Sequence, residues 1–345
     1  RSESKSGNRV LLLKFFRRFR ISPLLAMLGV VTLFWAGTLM QKYPVSTFTF
    51  DSFGMPLYVL IVKILSPYGY LSKLVAFALT LTVGLYLLQF NVRHTVVRQR
   101  TYLPFLFFVL VASSLTPLQR LNPAIIADIF ILVSLSHVIS TYQNSVALDH
   151  LFRSGLLLGI GTLLYAPTVV FIFLIFWSIA TLRQFNLREW LVTLVGILVP
   201  WGAVVFYFYW FDLGASEPFI QLANSLSIEA ESSADKIAPI ILCVAVGVPL
   251  LVAILHLLTG MGSQKIAIRK HQNIMLLFTV VALLSFFVVP SCSYEILYIA
   301  AAPISLLLSE YFSDARGKYW PEILLLIFII GLVSIQLYPL LMQGL

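Results

Sequence analysis

Residues 22–40, SPLLAMLGVVTLFWAGTLM, form an apolar segment long enough to cross a lipid bilayer, and residues 43–56, YPVSTFTFDSFGMP, follow almost directly. The second segment is polar but aromatic, is bracketed by prolines, and contains Asp51 as its only ionisable side chain. A loop of this kind stands where the chain has just left the bilayer and can cover a cavity in a membrane domain. We therefore expect it to form the roof of any functional site.

The composition is that of a membrane protein. Hydrophobic residues make up 60% of the chain, charged residues 11%, and the mean hydropathy is +0.96, whereas roughly a quarter of the residues in a soluble domain are charged. Apolar runs recur from Ser22 almost to Leu345 and leave no room for a soluble domain of ordinary size, roughly 100 residues. We predict an all-α, polytopic integral membrane protein, with one transmembrane domain over residues 22–345 after a cytoplasmic segment 1–21.

The distribution of charge predicts the orientation. Residues 9–20, RVLLLKFFRRFR, place leucine and phenylalanine on one helical face and lysine and arginine on the other, which is typical of a helix in the headgroup layer. The connectors 91–100 and 260–273 are basic, whereas 212–236 is acidic. By the positive-inside rule the N-terminus is cytoplasmic and the C-terminus exoplasmic. The net charge of +9 is thus explained by topology rather than by a nucleic-acid partner.

We predict roughly eleven spans, the first of them retained rather than cleaved as a signal peptide. Residues 55–65 are too short to cross and form an interfacial or re-entrant helix outside. A single helix over residues 153–183 would reach about 46 Å, well beyond a hydrocarbon core of roughly 30 Å. Two short spans that meet at Tyr165-Ala166-Pro167 fit better, and Gly155, Gly159 and Gly161 permit close helix contact there. The predicted spans are residues 22–40, 70–90, 102–115, 124–142, the two halves of 153–183, 190–211, 239–258, 275–289, 296–311 and 322–341.

Four ionisable residues at the outer ends of spans are candidate site residues, because such groups are costly at membrane depth. Asp51 could act as a general base or hold a divalent metal ion, or could be a solvated loop acid or a helix cap. Arg120 could bind a phosphate with its planar guanidinium, or a lipid headgroup. Asp128 and Glu295 are additional site candidates, and each could instead meet a helix macrodipole near an N-terminus.

The remaining titratable groups predict less. Two cysteines, Cys243 and Cys292, exclude a disulfide framework, and we expect them to be small apolar fillers although both fall toward the same side. His137 and His256 lie in the inner halves of their spans and are expected to be hydrogen-bonded packing residues. No phosphate-binding loop, nucleophile elbow or paired-cysteine metal site is present in the sequence.

The order of these parts resembles that of the C-type (GT-C) membrane glycosyltransferases. The resemblance covers about residues 22–211, with additional helices over about 237–341. Its elements are the outer loop with Asp51, the helix over 55–65, the span introduced by Asn122-Pro123, and the glycine-rich, proline-broken pair followed by Arg188-Glu189-Trp190. The chain departs from that family in having one acid where the family has an adjacent pair. The abundance of aromatic residues and the basic loops also resemble those of multi-span membrane proteins of Bacteroidota.

The resemblance implies a function at the exoplasmic, or periplasmic, face of a bacterial inner membrane. A glycosyltransferase of this type takes a sugar from a polyprenyl-phosphate carrier, and by the resemblance Asp51 alone would be its catalytic carboxylate, as a base or a metal ligand. If the protein is such an enzyme, we expect Arg120 to bind the donor phosphate, because its guanidinium matches phosphate oxygens. Two other classes stay open. One is a non-catalytic membrane subunit of an envelope assembly or secretion complex, with membrane proteins as partners. The other is a transporter or flippase for a lipid-linked substrate.

Overall fold

The structure is a computed structural model that describes residues 21–40, 54–65, 69–144, 147–228, 237–260, 262, 264–314 and 320–343. These ranges contain thirteen α-helices, two short 3-10 turns at Thr116–Leu118 and Ala166–Val170, and no β-strand. The prediction of an all-α chain is therefore confirmed for this part of the protein. The helices are α1 (Ile21–Met40), α2 (Pro56–Leu65), α3 (Gly69–His94), α4 (Leu103–Ala112), α5 (Pro123–Ser140), α6 (Ala147–Leu164), α7 (Phe171–Leu182), α8 (Leu187–Trp210), α9 (Glu217–Ser227), α10 (Ile237–Gly260), α11 (Ile266–Val288), α12 (Ile296–Asp314) and α13 (Trp320–Gln343).

Eight of the described helices are long and apolar enough to cross a membrane, namely α3, α5, α6, α8, α10, α11, α12 and α13. Three shorter apolar stretches stand where the other three spans were predicted: Leu25–Met40 in α1, Leu103–Ala112, and Ala166–Leu182. These features are those of an integral membrane protein. The short helix predicted over residues 55–65 is observed as α2.

The predicted break within residues 153–183 is confirmed. Helix α6 ends at Leu164, Tyr165 has extended backbone, and the 3-10 turn that follows contains Pro167 before α7 begins at Phe171. Proline lacks an N–H and restricts the residue before it to non-helical conformations, so it interrupts the helix at this point. Helix α6 begins at Ala147, earlier than predicted, and so becomes long enough to span.

Two predicted connectors contain helix instead. The acidic stretch 212–236 includes α9, where Pro218 in the first turn and Glu217 at the positive end of the macrodipole both favour a helix start. The basic stretch 260–273 contains the first turns of α11, which starts at Ile266. A helix can carry basic side chains past the hydrocarbon core, because their charged heads stay in the headgroup layer.

Helix α12 forms the centre of the bundle. Every residue from Ile296 to Ser313 is buried except Leu297, which is half-buried. It packs against α4, all ten residues of which are also buried, and the rings of Phe107 and Phe312 lie 5.2 Å apart at this contact. Helix α12 also packs against α11 and α10, so the later helices complete a core that the earlier ones begin.

Helices α6 and α8 cross at very close range. An added Cβ at Gly155 would lie 2.2 Å from the carbonyl oxygen of Thr193, and one at Gly159 would lie 2.5 Å from that of Ile197. On the facing helix, a Cβ at Gly196 would lie 2.5 Å from the carbonyl oxygen of Phe152. Small residues allow helices in a membrane to approach in this way. The prediction of close contact at Gly155 and Gly159 is therefore confirmed.

The described connectors gather at two ends of the bundle. We call one of them the basic end, and it is formed by residues 95–102, 141–144, 183–186 and 264–265. We call the other the Glu295 end, and it is formed by residues 113–122, 165–170, 211–216 and 289–295. Ion pairs concentrate at the basic end: Arg98 bonds to Glu310 at 2.6 Å and to Asp314 at 2.8 Å.

A second clamp at the basic end ties three helices together. Arg183 contacts the carboxylate of Glu189 at 2.9 and 3.1 Å, and its other nitrogen donates to the carbonyl oxygens of Thr141 and Asn144 at 2.8 and 2.9 Å. The ends of α5 and α7 are thereby joined to the first turn of α8. Glu189 is buried, so its negative charge is balanced by this arginine.

Candidate functional site

A narrow cleft with a cavity volume of about 20 Å³ opens at the Glu295 end. It lies where α2, the start of α5, the break between α6 and α7, α9, and the connector 289–295 converge. We call it the Glu295 cleft. Its lining residues are Met55, Tyr58, Pro123, Leu164, Tyr165, Ala166, Pro167, Ser225, Ile228, Ser291 and Glu295.

Among the described residues, Glu295 is the one ionisable acid that lines this cleft. Its side chain is fully buried, and its Oε1 accepts hydrogen bonds from the Tyr165 hydroxyl and the Ser293 backbone N–H, both at 3.1 Å. Its Oε2 has no hydrogen-bond partner among the described residues. One carboxylate oxygen is therefore held in place, while the other remains available to a ligand or a proton.

Burial raises the pKa of Glu295 to about 7, and the hydrogen bonds it accepts offset part of that shift. A carboxyl group whose pKa lies near neutral pH exchanges a proton readily, which is the property that general acid and base catalysis requires. Cys292, whose Sγ lies 3.5 Å from the Tyr165 hydroxyl, behaves oppositely. Burial raises the pKa of its thiol to about 12, so it stays protonated and is a poor nucleophile.

An apolar groove with about 1010 Å³ of empty space runs beside the cleft, between α2, α8 and α9. Aliphatic and aromatic side chains form most of its surface, with Lys63 and Gln221 as the polar members. A small cluster of Met55, Leu163, Ala166 and Trp201, against which Leu57 and Val204 pack, joins the groove to the cleft. An apolar channel with a cation in its lining suits a lipid chain that carries an anionic head.

Trp201 fixes the wall between groove and cleft. Its indole N–H donates to the Thr162 hydroxyl at 2.8 Å, and its ring stacks on Phe219 of α9 with centroids 5.4 Å apart. These contacts tie α8 and α9 to α6, which ends at the cleft. The tight α6–α8 crossing therefore positions the groove as well as the bundle.

Of the three predicted site residues that the structure describes, only Glu295 lines the cleft. Asp51 lies outside the described residues, so its catalytic prediction stands on the sequence alone. Arg120 is half-buried in the connector that precedes Pro123, but does not line the cleft. In the same connector, the Leu118 carbonyl accepts a hydrogen bond from the Tyr298 hydroxyl at 2.9 Å, and the Leu121 carbonyl accepts one from the Tyr58 hydroxyl at 3.3 Å.

Asp128 lies inside α5 rather than in the cleft. It is completely buried, and neither carboxylate oxygen has a hydrogen-bond partner among the described residues. The start of α5 is already capped, because the Asn122 side chain accepts from the Ile125 N–H at 2.9 Å. Glu295, by contrast, stands directly before α12. The alternative role, an interaction with the helix macrodipole, therefore fits Glu295 in addition to its place in the cleft.

The residues that hold Glu295 were not predicted as site residues. Tyr165 was singled out only because it begins the helix break, and it stands 130 positions from Glu295 in the chain. No periodicity connects residues so far apart. The signal in the sequence is the coincidence of a helix break, a proline and a tyrosine.

The described residues offer no ready-made metal site. No group of three or more histidine, cysteine, aspartate or glutamate side chains converges within the described ranges. Glu295 alone does not supply the ligand set that a divalent ion requires, so we derive no step through a metal.

The other titratable residues behave largely as packing residues. His137 and His150 are hydrogen-bonded through their Nδ1 atoms at 3.1 Å, and His256 lies 3.3 Å from Asp314. These two predictions are confirmed. Cys243 and Cys292 are both free thiols, one exposed and one buried.

Comparison with known proteins finds a match to one family model. The sequence model of a family described as "Family of unknown function (DUF6427)" matches residues 25–341, which is nearly the whole chain. No curated protein and no solved structure matches.

Proposed function

We infer the function of this chain, which belongs to the DUF6427 family of unknown function, from the geometry of the Glu295 cleft. We propose a membrane-embedded glycosyltransferase of the GT-C type that uses a polyprenyl-phosphate-linked sugar donor. The observation that carries the proposal is a buried carboxyl group with a pKa of about 7 at the base of a cleft, next to an apolar groove. A lipid-linked donor needs both parts.

The proposed reaction transfers the sugar to an acceptor hydroxyl. Oε2 of Glu295 takes the hydroxyl proton as the acceptor oxygen forms its bond to the anomeric carbon. The bond between that carbon and the donor phosphate oxygen breaks, and the electron pair leaves with the polyprenyl phosphate. Tyr165 holds Oε1, which leaves Oε2 as the oxygen that would take the proton. General base catalysis of this kind typically contributes about 10²- to 10⁴-fold in rate.

Two predicted residues complete the proposal. Arg120, next to the cleft in sequence, would offset the charge that builds on the leaving phosphate, since a guanidinium matches phosphate oxygens. Asp51, which lies outside the described residues, would be the catalytic carboxylate that the GT-C resemblance implies, acting as a base or a metal ligand. The polyprenyl chain would lie in the groove beside α2, with Lys63 near its anionic head.

The proposed topology places this end outside. We propose eleven spans, a cytoplasmic N-terminus and an exoplasmic Glu295 end, in a bacterial inner membrane. Arginine and lysine connectors at the basic end support this orientation by the positive-inside rule. Cysteine labelling tests it: a probe at Ser216 should react from the exoplasmic side and a probe at Gln264 from the cytoplasm. The reverse pattern would mean that the orientation is inverted.

The decisive experiment compares Glu295→Gln with a matched control, Glu217→Gln. Both replace a carboxylate by an amide at the same end of the bundle, but Glu217 does not line the cleft. In cells, Glu295→Gln should cause lipid-linked sugars to accumulate and exoplasmic glycans to decrease at normal protein abundance. Glu217→Gln should match the wild type. Normal glycans in Glu295→Gln, at normal abundance, would contradict the assignment.

A non-catalytic membrane subunit is the second candidate. The packed interior favours it, because α4 and α12 are buried along nearly their whole lengths and serve as a rigid scaffold. Helix α8 also presents broad apolar surface, with Leu198 56% exposed, which a neighbouring membrane protein could cover. Under this candidate, Glu295→Gln leaves glycans unchanged, whereas deletion of the chain destabilises its partner. Glycan levels in the Glu295→Gln strain and partner levels in the deletion strain therefore separate the two functions.

A further inference from the structure

Asp128 is the most unusual side chain that the proposed reaction does not use. It lies in the second turn of α5, is completely buried, and has no hydrogen-bond partner for Oδ1 or Oδ2 among the described residues. Capping does not explain it, since Asn122 already caps α5. The favourable effect of a helix macrodipole also fades beyond the first turn.

The helices around α5 offer Asp128 no compensating charge. Helices α3, α6, α7 and α12 pack against it, and α7 carries no titratable side chain. Several titratable groups on the others have bonds elsewhere: Lys73 donates to the Thr38 carbonyl, Tyr298 to the Leu118 carbonyl, and Glu310 accepts from Arg98. None of them bonds to Asp128. The full set on these helices is Tyr70, Lys73, Tyr86, Arg93 and His94 in α3, Asp149, His150 and Arg153 in α6, and Tyr298, Glu310, Tyr311 and Asp314 in α12.

An ionised carboxylate in this position would be very unfavourable. A charge removed from water without a partner costs several kcal/mol or more, and the group instead takes up a proton. Intramembrane ionisable residues are rare for this reason and usually have a function. We propose that Asp128 is an intramembrane proton-binding site, occupied by a proton at neutral pH and loaded from the Glu295 end.

The position of Asp128 along α5 explains the choice of end. Pro123 lines the Glu295 cleft, and Asp128 follows five residues later, about 7.5 Å deeper at 1.5 Å per residue. Toward the basic end come Ile131, Leu132 and Leu135, all completely buried. The polar Ser134 in that stretch is bonded to Ser154 at 2.8 Å. Buried apolar residues also lie between Asp128 and the cleft, namely Ala124, Ile125 and Ala127, but the path along α5 to the cleft is the shorter one, because the basic end begins only at Thr141.

The ligand class is a proton rather than a metal ion. Metal binding requires several converging ligands, and no cluster of acidic, histidine or cysteine side chains that could supply them occurs within the described ranges. A proton needs only the carboxyl group itself. The Glu295 carboxyl, with one oxygen free of hydrogen bonds to the described residues, is the titratable group through which a proton would pass between the cleft and Asp128.

Infrared spectroscopy of the purified full chain in lipid membranes tests the proposal. A protonated carboxylic acid has a carbonyl stretch well separated from that of a carboxylate. Glu295, with a pKa of about 7, contributes to this band at neutral pH, so the diagnostic signal is the part of the band that shifts when aspartate is labelled with carbon-13. The wild type should show that labelled part, Asp128→Asn should lose it, and Asp149→Asn, which removes an exposed acid, should keep it. Incorporation of carbon-13 aspartate shifts the band in the wild type, which assigns it to aspartate even if Asp128→Asn fails to fold.

Exchange in heavy water tests the route. The Asp128 band should shift as its proton is replaced by deuterium, and Glu295→Leu should slow that exchange by about 10²-fold or more, as expected when a positioned proton-transfer group is removed. An unchanged exchange rate would overturn the route through Glu295. Absence of a protonated aspartate band in the wild type, or its persistence in folded Asp128→Asn, would overturn the proton site. These outcomes do not depend on glycosyl transfer, so they are independent of the proposed function.

Discussion

The Tyr165 hydroxyl donates a hydrogen bond to Oε1 of Glu295 over 3.1 Å, and this bond joins the break between α6 and α7 to the first residue before α12. Two segments that are far apart in the chain thus depend on each other. The break provides the donor, and the connector provides a carboxyl group that burial has brought to a pKa of about 7.

Glu295→Gln should change how stability depends on pH. The folded-state pKa is about 7, above the usual 4.5, so the folded protein holds a proton that the unfolded chain releases between these values. Stability of the wild type should therefore be constant below about pH 4.5 and fall as the pH rises to about 7, by on the order of 3 kcal/mol in total. The variant should lack this decline. Thermal unfolding in detergent across pH 4 to 8 measures it, and equal slopes in both proteins would contradict it.

Tyr165→Phe should move that decline to higher pH. The hydroxyl bond stabilises the ionised form of Glu295 and lowers its pKa, so its loss should raise the pKa above about 7. The end of the decline in the unfolding temperature should then shift upward in pH. Tyr294→Phe, in the same connector but without a bond to Glu295, is the control and should leave the profile in place. A downward shift in Tyr165→Phe would be inconsistent with the bond as described.

Arg183→Met should destabilise the basic end. The substitution leaves the buried Glu189 carboxylate and two carbonyl oxygens without their donors, and we expect a loss of about 2–4 kcal/mol. Arg188→Met is the control, because Arg188 is exposed and forms no ion pair with a described residue. It should change stability by less than about 0.5 kcal/mol. Similar unfolding temperatures for the two variants would show that the clamp contributes nothing.

Gly155→Ala should destabilise the protein, whereas Gly202→Ala should not. A Cβ at Gly155 would meet the Thr193 carbonyl at 2.2 Å, whereas one at Gly202 meets nothing within 4 Å. The first change should force α6 and α8 apart at a cost of about 1–3 kcal/mol. The second should be neutral or stabilise by up to about 1 kcal/mol through helix propensity. Unfolding temperatures decide, and a neutral Gly155→Ala would mean that the crossing is looser than described.

Asp51→Asn and Arg120→Ala test the residues predicted from sequence. Loss of a catalytic carboxylate should reduce sugar transfer by about 10²- to 10⁴-fold. Loss of a charged hydrogen bond to the donor phosphate should weaken donor use by about 1.5–3 kcal/mol. The measurement is the level of lipid-linked sugars and exoplasmic glycans at confirmed membrane abundance. Unchanged glycans in both variants would remove the catalytic role and favour the subunit.

The sequence predicted those parts of the fold that depend on local pattern. Apolar length placed the long helices, and Pro167 placed the break at Tyr165, because both act within one segment. Helix α9 was missed because its acidic and polar residues resemble a loop, although Pro218 after Glu217 was a usable helix-start signal. Glu295 was named as a candidate, but its bond to Tyr165 could not be predicted. Such contacts arise only when distant helices pack, and a single sequence contains no periodicity that reports them.

The short, wholly buried α4 has a consequence for biosynthesis. Ten residues extend only about 15 Å, half of a roughly 30 Å hydrocarbon core, so both ends of this helix are tolerated at membrane depth only when protein surrounds them. Part of that surrounding protein is α12, whose Phe312 meets Phe107, and α13, whose Phe328 lies 5.4 Å from the same ring. The ribosome makes both of these helices long after α4. In the membrane-inserted nascent chain, the α4 surface around Phe107 therefore stays without these partners until α12 and α13 have been made and have packed against it.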